Sequence, residues 1–266
     1  MLPHHAESIE IMRRHFEGEP GVLGLILGGS VARGNERPDS DLDALVVVTP
    51  ARHAELEAAG RLSECIWGKC TYEGGYFDIK HFTADYLRAA ALRGSDPTRN
   101  SFLGARVLFG PAGLDLPGLV GRIGQYPVAD KERRIRLFYS IFLLSSGYFF
   151  ECALKDRSEY FLRRAAADAV YGGLRMLYAK NEVFFPCHRR MVAEADKLPD
   201  KPADLAALAE ALCAEPTPAA RDAFVAAVKG HPGWNLDFSR YDPHLSVYVK
   251  AMEQSWQNSE DNVFEL

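Results

Sequence analysis

The sequence predicts an α+β chain: a small mixed sheet with flanking helices over residues 1–127, then an all-α helical bundle over residues 128–266. Three observations predict it. Short apolar runs of strand length, among them residues 23–27 and 44–48, are separated by turn formers. Gly110-Pro111-Ala112-Gly113 and a Gly- and Pro-rich stretch to residue 128 interrupt the chain near its middle and put a boundary at 127–130. Beyond Asp130 the apolar spacing is helical throughout.

In order, residues 3–17 read as an amphipathic helix with Ile9, Met12 and Phe16 on one stripe, closed by Gly18 and Pro20. A first strand, 23–27, breaks at Gly28-Gly29-Ser30, and a second, 44–48, is opened by Asp41-Leu42-Asp43. Thr49-Pro50 places an N-cap residue before a first-turn proline and starts a helix to about residue 59. Residues 64–72 and 75–82 read as strands around Gly74-Gly75. Thr83 caps a helix to Arg93, stopped by Gly94; residues 95–104 read as loop and 106–109 as a short closing strand. The helical half divides into 130–154, 158–180, 187–197, 203–213, 218–229 and 243–257, with Thr217-Pro218 and Asp242-Pro243 marking two of the starts. Residues 259–266 read as an acidic, frayed tail.

Composition bounds the function. At 47% hydrophobic and 25% charged residues the chain is of ordinary globular type. A net charge of −5 argues against polynucleotide substrates, whose phosphates need a basic surface. Five cysteines without zinc-ligand spacing are expected to be reduced and packed, although Cys65 and Cys70 are close enough in sequence to bridge a hairpin. The absence of a basic-then-apolar leader makes a cytoplasmic location the expectation. Residues 137–154 are apolar enough to mimic a membrane span, but Ser140, Ser145, Ser146, Gly147 and Glu151 interrupt them and favour a buried helix, so no membrane partner is expected.

The chemistry concentrates between the first two strands. Side chains alternate along a strand, so Asp41 and Asp43 share one side. Two carboxylates roughly 4 Å apart repel by about 4 kcal/mol at an effective dielectric of about 20. A divalent cation removes that repulsion, and oxygen-only ligands suit Mg²⁺. Gly28 and Gly29 let backbone approach a ligand, and the Ser30 hydroxyl is a phosphate donor. The plainer reading, a simple turn followed by solvated acids, is weakened by two aspartates opening an otherwise buried run. A P-loop is rejected, since its lysine is missing and the strand lies inside the motif.

Further along, Phe77 and Ile79 face one side of their strand and leave Asp78 with Tyr76 and Lys80 on the other. A mid-strand acid needs a partner: a shared cation, or a pairing with Lys80 or Lys69. In the helical half, Glu151 follows Phe149-Phe150 on an apolar helix, where desolvation would raise its pKa. Arg164, Asp168, Tyr171 and Arg175 share one helical face, where Asp168 is either a base or half of an i,i+4 pair with Arg164. His188 and Arg189 are candidates to reach a triphosphate or acceptor, with a structural role the alternative for His188.

Gly29-Ser30, ten intervening residues, Asp41-Leu42-Asp43 and the apolar run after them together resemble the signature of the DNA polymerase β-like nucleotidyltransferase superfamily. The Gly29–Gly34 stretch, Gly-Ser-Val-Ala-Arg-Gly, with Ser40 before the acids, is similar to the minimal and the antibiotic (kanamycin, streptomycin, lincosamide) nucleotidyltransferases. The resemblance implies two Mg²⁺ ions held by Asp41 and Asp43, with Asp78 as the third metal carboxylate. It implies ATP as co-substrate, bound by Gly29, Ser30, Arg33 and Ser40, and a helical-domain carboxylate, Glu151 or Asp168, as base. The implied reaction moves a nucleoside monophosphate, AMP from ATP, to a hydroxyl of a small acceptor held in a pocket between the domains, and releases pyrophosphate. Alternatives are a protein AMP-transferase of antitoxin type and a non-catalytic nucleotide-binding regulatory module.

Overall fold

The computed structural model describes residues 1–258; the acidic tail, 259–266, lies outside them. The chain divides after Tyr126 into two compact units. The first opens with α1 (Pro3–Phe16), β1 (Val22–Leu27), the short α2 (Gly29–Arg33) and β2 (Leu42–Val48). It continues with α3 (Pro50–Ala58), β3 (Ser63–Trp67), β4 (Tyr76–Thr83), α4 (Ala84–Arg93), α5 (Asp96–Ser101), β5 (Arg106–Phe109) and α6 (Leu116–Ile123). Thr49 and Thr83 cap α3 and α4 by accepting the amides of Arg52 and Tyr86.

The five strands form one sheet in the order β3-β4-β2-β1-β5. β2 and β4 are parallel and every other pair is antiparallel. Alternation along β2 divides its side chains between two cores. Leu42, Ala44, Val46 and Val48 join Met12 and Phe16 of α1 on one face. Leu45 and Val47 join Leu87 of α4 and Leu116, Leu119 and Ile123 of α6 on the other. On β4, Phe77 and Ile79 go to the α1 face and Phe82 to the α4–α6 face. Asp43 and Asp78 therefore stand in the rows of Leu45 and Phe82, on the α4–α6 face of the sheet.

Three expectations are corrected. The strand expected over 64–72 ends at Trp67, because Gly68 adopts φ +72° and the chain turns away. Residues 95–104 are not all loop: Ser95 caps α5 by accepting the Thr98 amide, with Pro97 in the first turn. The stretch 113–128 holds α6, capped by Asp115 and started by Pro117. Arg99, buried, ties these pieces together by donating to the carbonyls of Ala91 at 2.9 Å, Gly94 at 3.1 Å and Ile123 at 3.2 Å.

The second unit is helical. α7 (Lys131–Leu144), a π-helical segment Ser145–Phe149 and α8 (Phe150–Asp156) run on without a break. They are followed by α9 (Glu159–Lys180), α10 (Met191–Ala195), α11 (Leu205–Ala214), α12 (Pro218–Gly230) and α13 (Asp242–Tyr248). The helix expected over 187–197 is a 3-10 turn, His188–Arg190, leading into α10; that over 243–257 becomes π-helical at Val249. Tyr139, Phe142 and Phe150 are fully buried in the core of this unit, which is the setting of a core helix for the apolar stretch 137–154. All five cysteines are unbridged, so the Cys65–Cys70 alternative falls away.

Candidate active site

β1 ends at Leu27, and the chain must turn at once to begin α2. Gly29 makes that turn at φ +66°, and a Cβ on it would overlap the Asp43 carboxylate. Both the backbone angle and the space require glycine there. The Gly28 amide donates to the Asp43 carbonyl at 2.9 Å, which seats the turn against the mouth of β2. The Ser30 carbonyl accepts the Asn35 amide at 3.1 Å, while its hydroxyl has no hydrogen bond among the described residues. Arg33 is exposed and donates to the Asn100 carbonyl at 3.3 Å.

The parallel ladder sets Asp43 directly opposite Asp78. Asp41 lies just ahead of β2. Burial first, then the charges of Asp41 and Asp78, push the Asp43 carboxyl up to about 6, with Lys80 and Arg33 pulling the other way. Three carboxylates thus act on one another at the open end of the sheet. Asp78 Oδ2 accepts from Lys80 Nζ at 2.8 Å, so the lysine alternative for its partner is realised. The neighbouring Asp41 carboxylate is the main reason the Tyr76 hydroxyl is pushed up to about 12. The Trp67 ring stacks on Tyr76 with centroids 4.3 Å apart.

The Ser40 side chain is buried and accepts the Arg37 amide at 2.9 Å, closing the turn before Asp41, and its carbonyl accepts the Tyr72 hydroxyl at 2.5 Å. These bonds shape the loop ahead of the acids. Neither Tyr72 nor Trp67 stood out in the sequence, because the contacts that involve them cross between elements.

Of the helical-half candidates, Glu151 is exposed and ion-paired with Arg221, not buried among the apolar side chains that precede it. Asp168 takes Arg164 at 2.5 Å in the i,i+4 pair that was its plainer reading. Arg175 is buried, donating to the Tyr171 hydroxyl at 2.5 Å with its guanidinium 3.9 Å from the Phe138 ring centroid. His188 stacks on Tyr171.

Among the described residues no three of His, Cys, Asp or Glu stand ready-made around a metal position. The donor chemistry of Asp41 and Asp43 nevertheless fits a hard cation: a positive charge there offsets the burial and the neighbouring Asp41 and Asp78 charges that push the Asp43 carboxyl up. Asp78 keeps its second carboxylate oxygen for such a set while Oδ2 accepts from Lys80.

Residues 6–73 match the family model of the nucleotidyltransferase domain, a span that includes Gly29, Ser30, Asp41 and Asp43 and stops short of Asp78. That match shows a nucleotidyltransferase-type domain over residues 6–73. A nucleotidyltransferase-like protein from Exiguobacterium sibiricum 255-15 is similar at 11% identity and TM-score 0.49, over 97% of this chain and 81% of its own. A spectinomycin adenyltransferase from Enterococcus faecialis, solved with ATP and spectinomycin, is similar at 16% identity and TM-score 0.30, over 92% and 96%. No curated protein matches the chain.

Proposed function

We propose that the chain is a magnesium-dependent enzyme that transfers the nucleoside monophosphate of an NTP, with ATP the first choice, to a hydroxyl of a small molecule and releases pyrophosphate. The observation that supports this reading is the β2–β4 register, which sets Asp78 beside Asp43 at the end of the sheet where Gly29 is packed on the Asp43 carboxylate. Asp41 and Asp43 would hold the magnesium, with Asp78 completing the set through its carboxylate. Magnesium bound there would supply charge neutralisation for the triphosphate and lower the pKa of the attacking hydroxyl.

The protein's own groups do the positioning. Backbone amides at the start of α2 and the Ser30 hydroxyl donate to the β- and γ-phosphates, with the Arg33 guanidinium beside them. The acceptor oxygen bonds to the α-phosphorus as the bond to the pyrophosphate oxygen breaks, and the hydroxyl proton leaves through the carboxylates of the site. Holding both reactants in line and neutralising developing charge lowers the barrier. Reduced cysteines suit a cytoplasmic setting.

The test is incubation of the purified chain with Mg²⁺ and ATP labelled in the α-phosphate, with a panel of cyclic and open-chain hydroxylated molecules. Labelled acceptor and pyrophosphate are expected, falling by ~10³-fold or more in Asp41→Ala and Asp43→Ala. Label on the chain itself or on added protein would redirect the reading to a protein target. Tight Mg-ATP binding without transfer to any acceptor would redirect it to a regulatory module.

A further inference from the structure

The sheet order fixes a sequence of groups across one face: Gly29 and Ser30 after β1, Asp43 on β2, Asp78 and Tyr76 on β4, and Trp67 on the edge strand β3. With the triphosphate at Gly29 and Ser30, as in the function proposed above, pyrophosphate leaves toward β1. An in-line displacement then brings the acceptor from the opposite side of the α-phosphorus, over β4 and β3.

What stands there is aromatic. Trp67 is paired in register with Tyr76 and is 65% exposed. The two rings lie 4.3 Å apart at 25°, one backing the other. Trp67 belongs to neither core of the first unit, so its ring is held by Tyr76 at the sheet edge and not by core packing. A ring held from beneath presents one flat face already ordered, which suits a ligand ring laid against it.

We propose that Trp67, backed by Tyr76, is the acceptor-side stacking platform, and that it selects hydroxylated acceptors presenting a ring over open-chain ones. The inference rests on the proposed function for the direction of approach, but its test reads binding, not transfer.

The probes are myo-inositol and sorbitol, a ring and an open chain of equal hydroxyl count. Each is titrated by ligand-observed NMR into the full chain with Mg²⁺ and a non-hydrolysable ATP analogue. The wild type is expected to bind the ring ~5-fold more tightly; Trp67→Phe keeps most of that preference and Trp67→Ala removes it, with affinity for the ATP analogue unchanged. Equal affinities in the wild type, or a preference that survives in Trp67→Ala, would overturn the proposal. So would loss of ATP-analogue affinity in Trp67→Ala, which would give the platform to the nucleobase. A ring preference that depends on Trp67 in a protein that transfers nothing would instead count against the proposed function alone.

Discussion

Gly29 is where one added methyl group does most harm. Its φ of +66° disfavours any side chain, and the Asp43 carboxylate occupies the space a Cβ needs. Gly29→Ala is expected to lower nucleotidyl transfer by ~10²-fold or more, since a displacement near 1 Å at the reacting groups has that effect. Circular dichroism and urea melts would show the sheet intact, with at most ~1–3 kcal/mol lost. Asp43 gives a prediction with a definite sign. Its carboxyl titrates at about 6 in the fold against an ordinary 3.8. Between those values the folded chain holds a proton the unfolded chain has lost, so without metal stability falls as pH rises, by ~3 kcal/mol in total. Asp43→Asn lacks this titration. Urea melts in EDTA are expected to show it more stable than the wild type above pH ~6, with the two converging toward pH ~4. Added Mg²⁺ raises the melting temperature of the wild type and not that of the variant.

Among the elements, α7 and α9 of the helical unit pack closely at Gly172. A Cβ on Gly172 would come within 2.6 Å of the Phe142 backbone nitrogen, which no side-chain rotation relieves. Gly172→Ala is expected to destabilise the fold by ~1–3 kcal/mol in a urea melt, although alanine is the better helix former. Helices and strands with a strong local signal were legible in the sequence. Thr49-Pro50, Thr83, Ser158 and Thr217-Pro218 announce α3, α4, α9 and α12 through capping chemistry that depends only on neighbours in the chain. α5 and α6 carried the same kind of signal at Ser95 and Asp115, but glycine- and proline-rich surroundings outweighed it. Their order depends on Arg99 reaching carbonyls far along the chain, which no local pattern displays.

For the whole molecule, charge sets the outer limit. With a net charge of −5, a labelled oligonucleotide is expected neither to be retarded by the chain in a gel at physiological salt nor to receive AMP at its ends. The candidate site was half legible. Gly29, Ser30, Asp41 and Asp43 lie in one continuous stretch, and Asp78 could be picked out by its strand context. The exposure of Glu151 was not legible because apolar neighbours in sequence do not fix which way a helix faces, and the stacking of Trp67 on Tyr76 follows only from strand pairing. That pairing also decides which changes of length the fold survives. Asp43 and Asp78 meet through a parallel ladder whose crossover is α3 and β3, so residues added between Gly60 and Leu62 lengthen a connection and leave the two acids abreast. One residue gained or lost inside the ladder itself would turn Asp78 inward among Met12, Phe16 and Leu25, burying a carboxylate in hydrocarbon and emptying the catalytic face together.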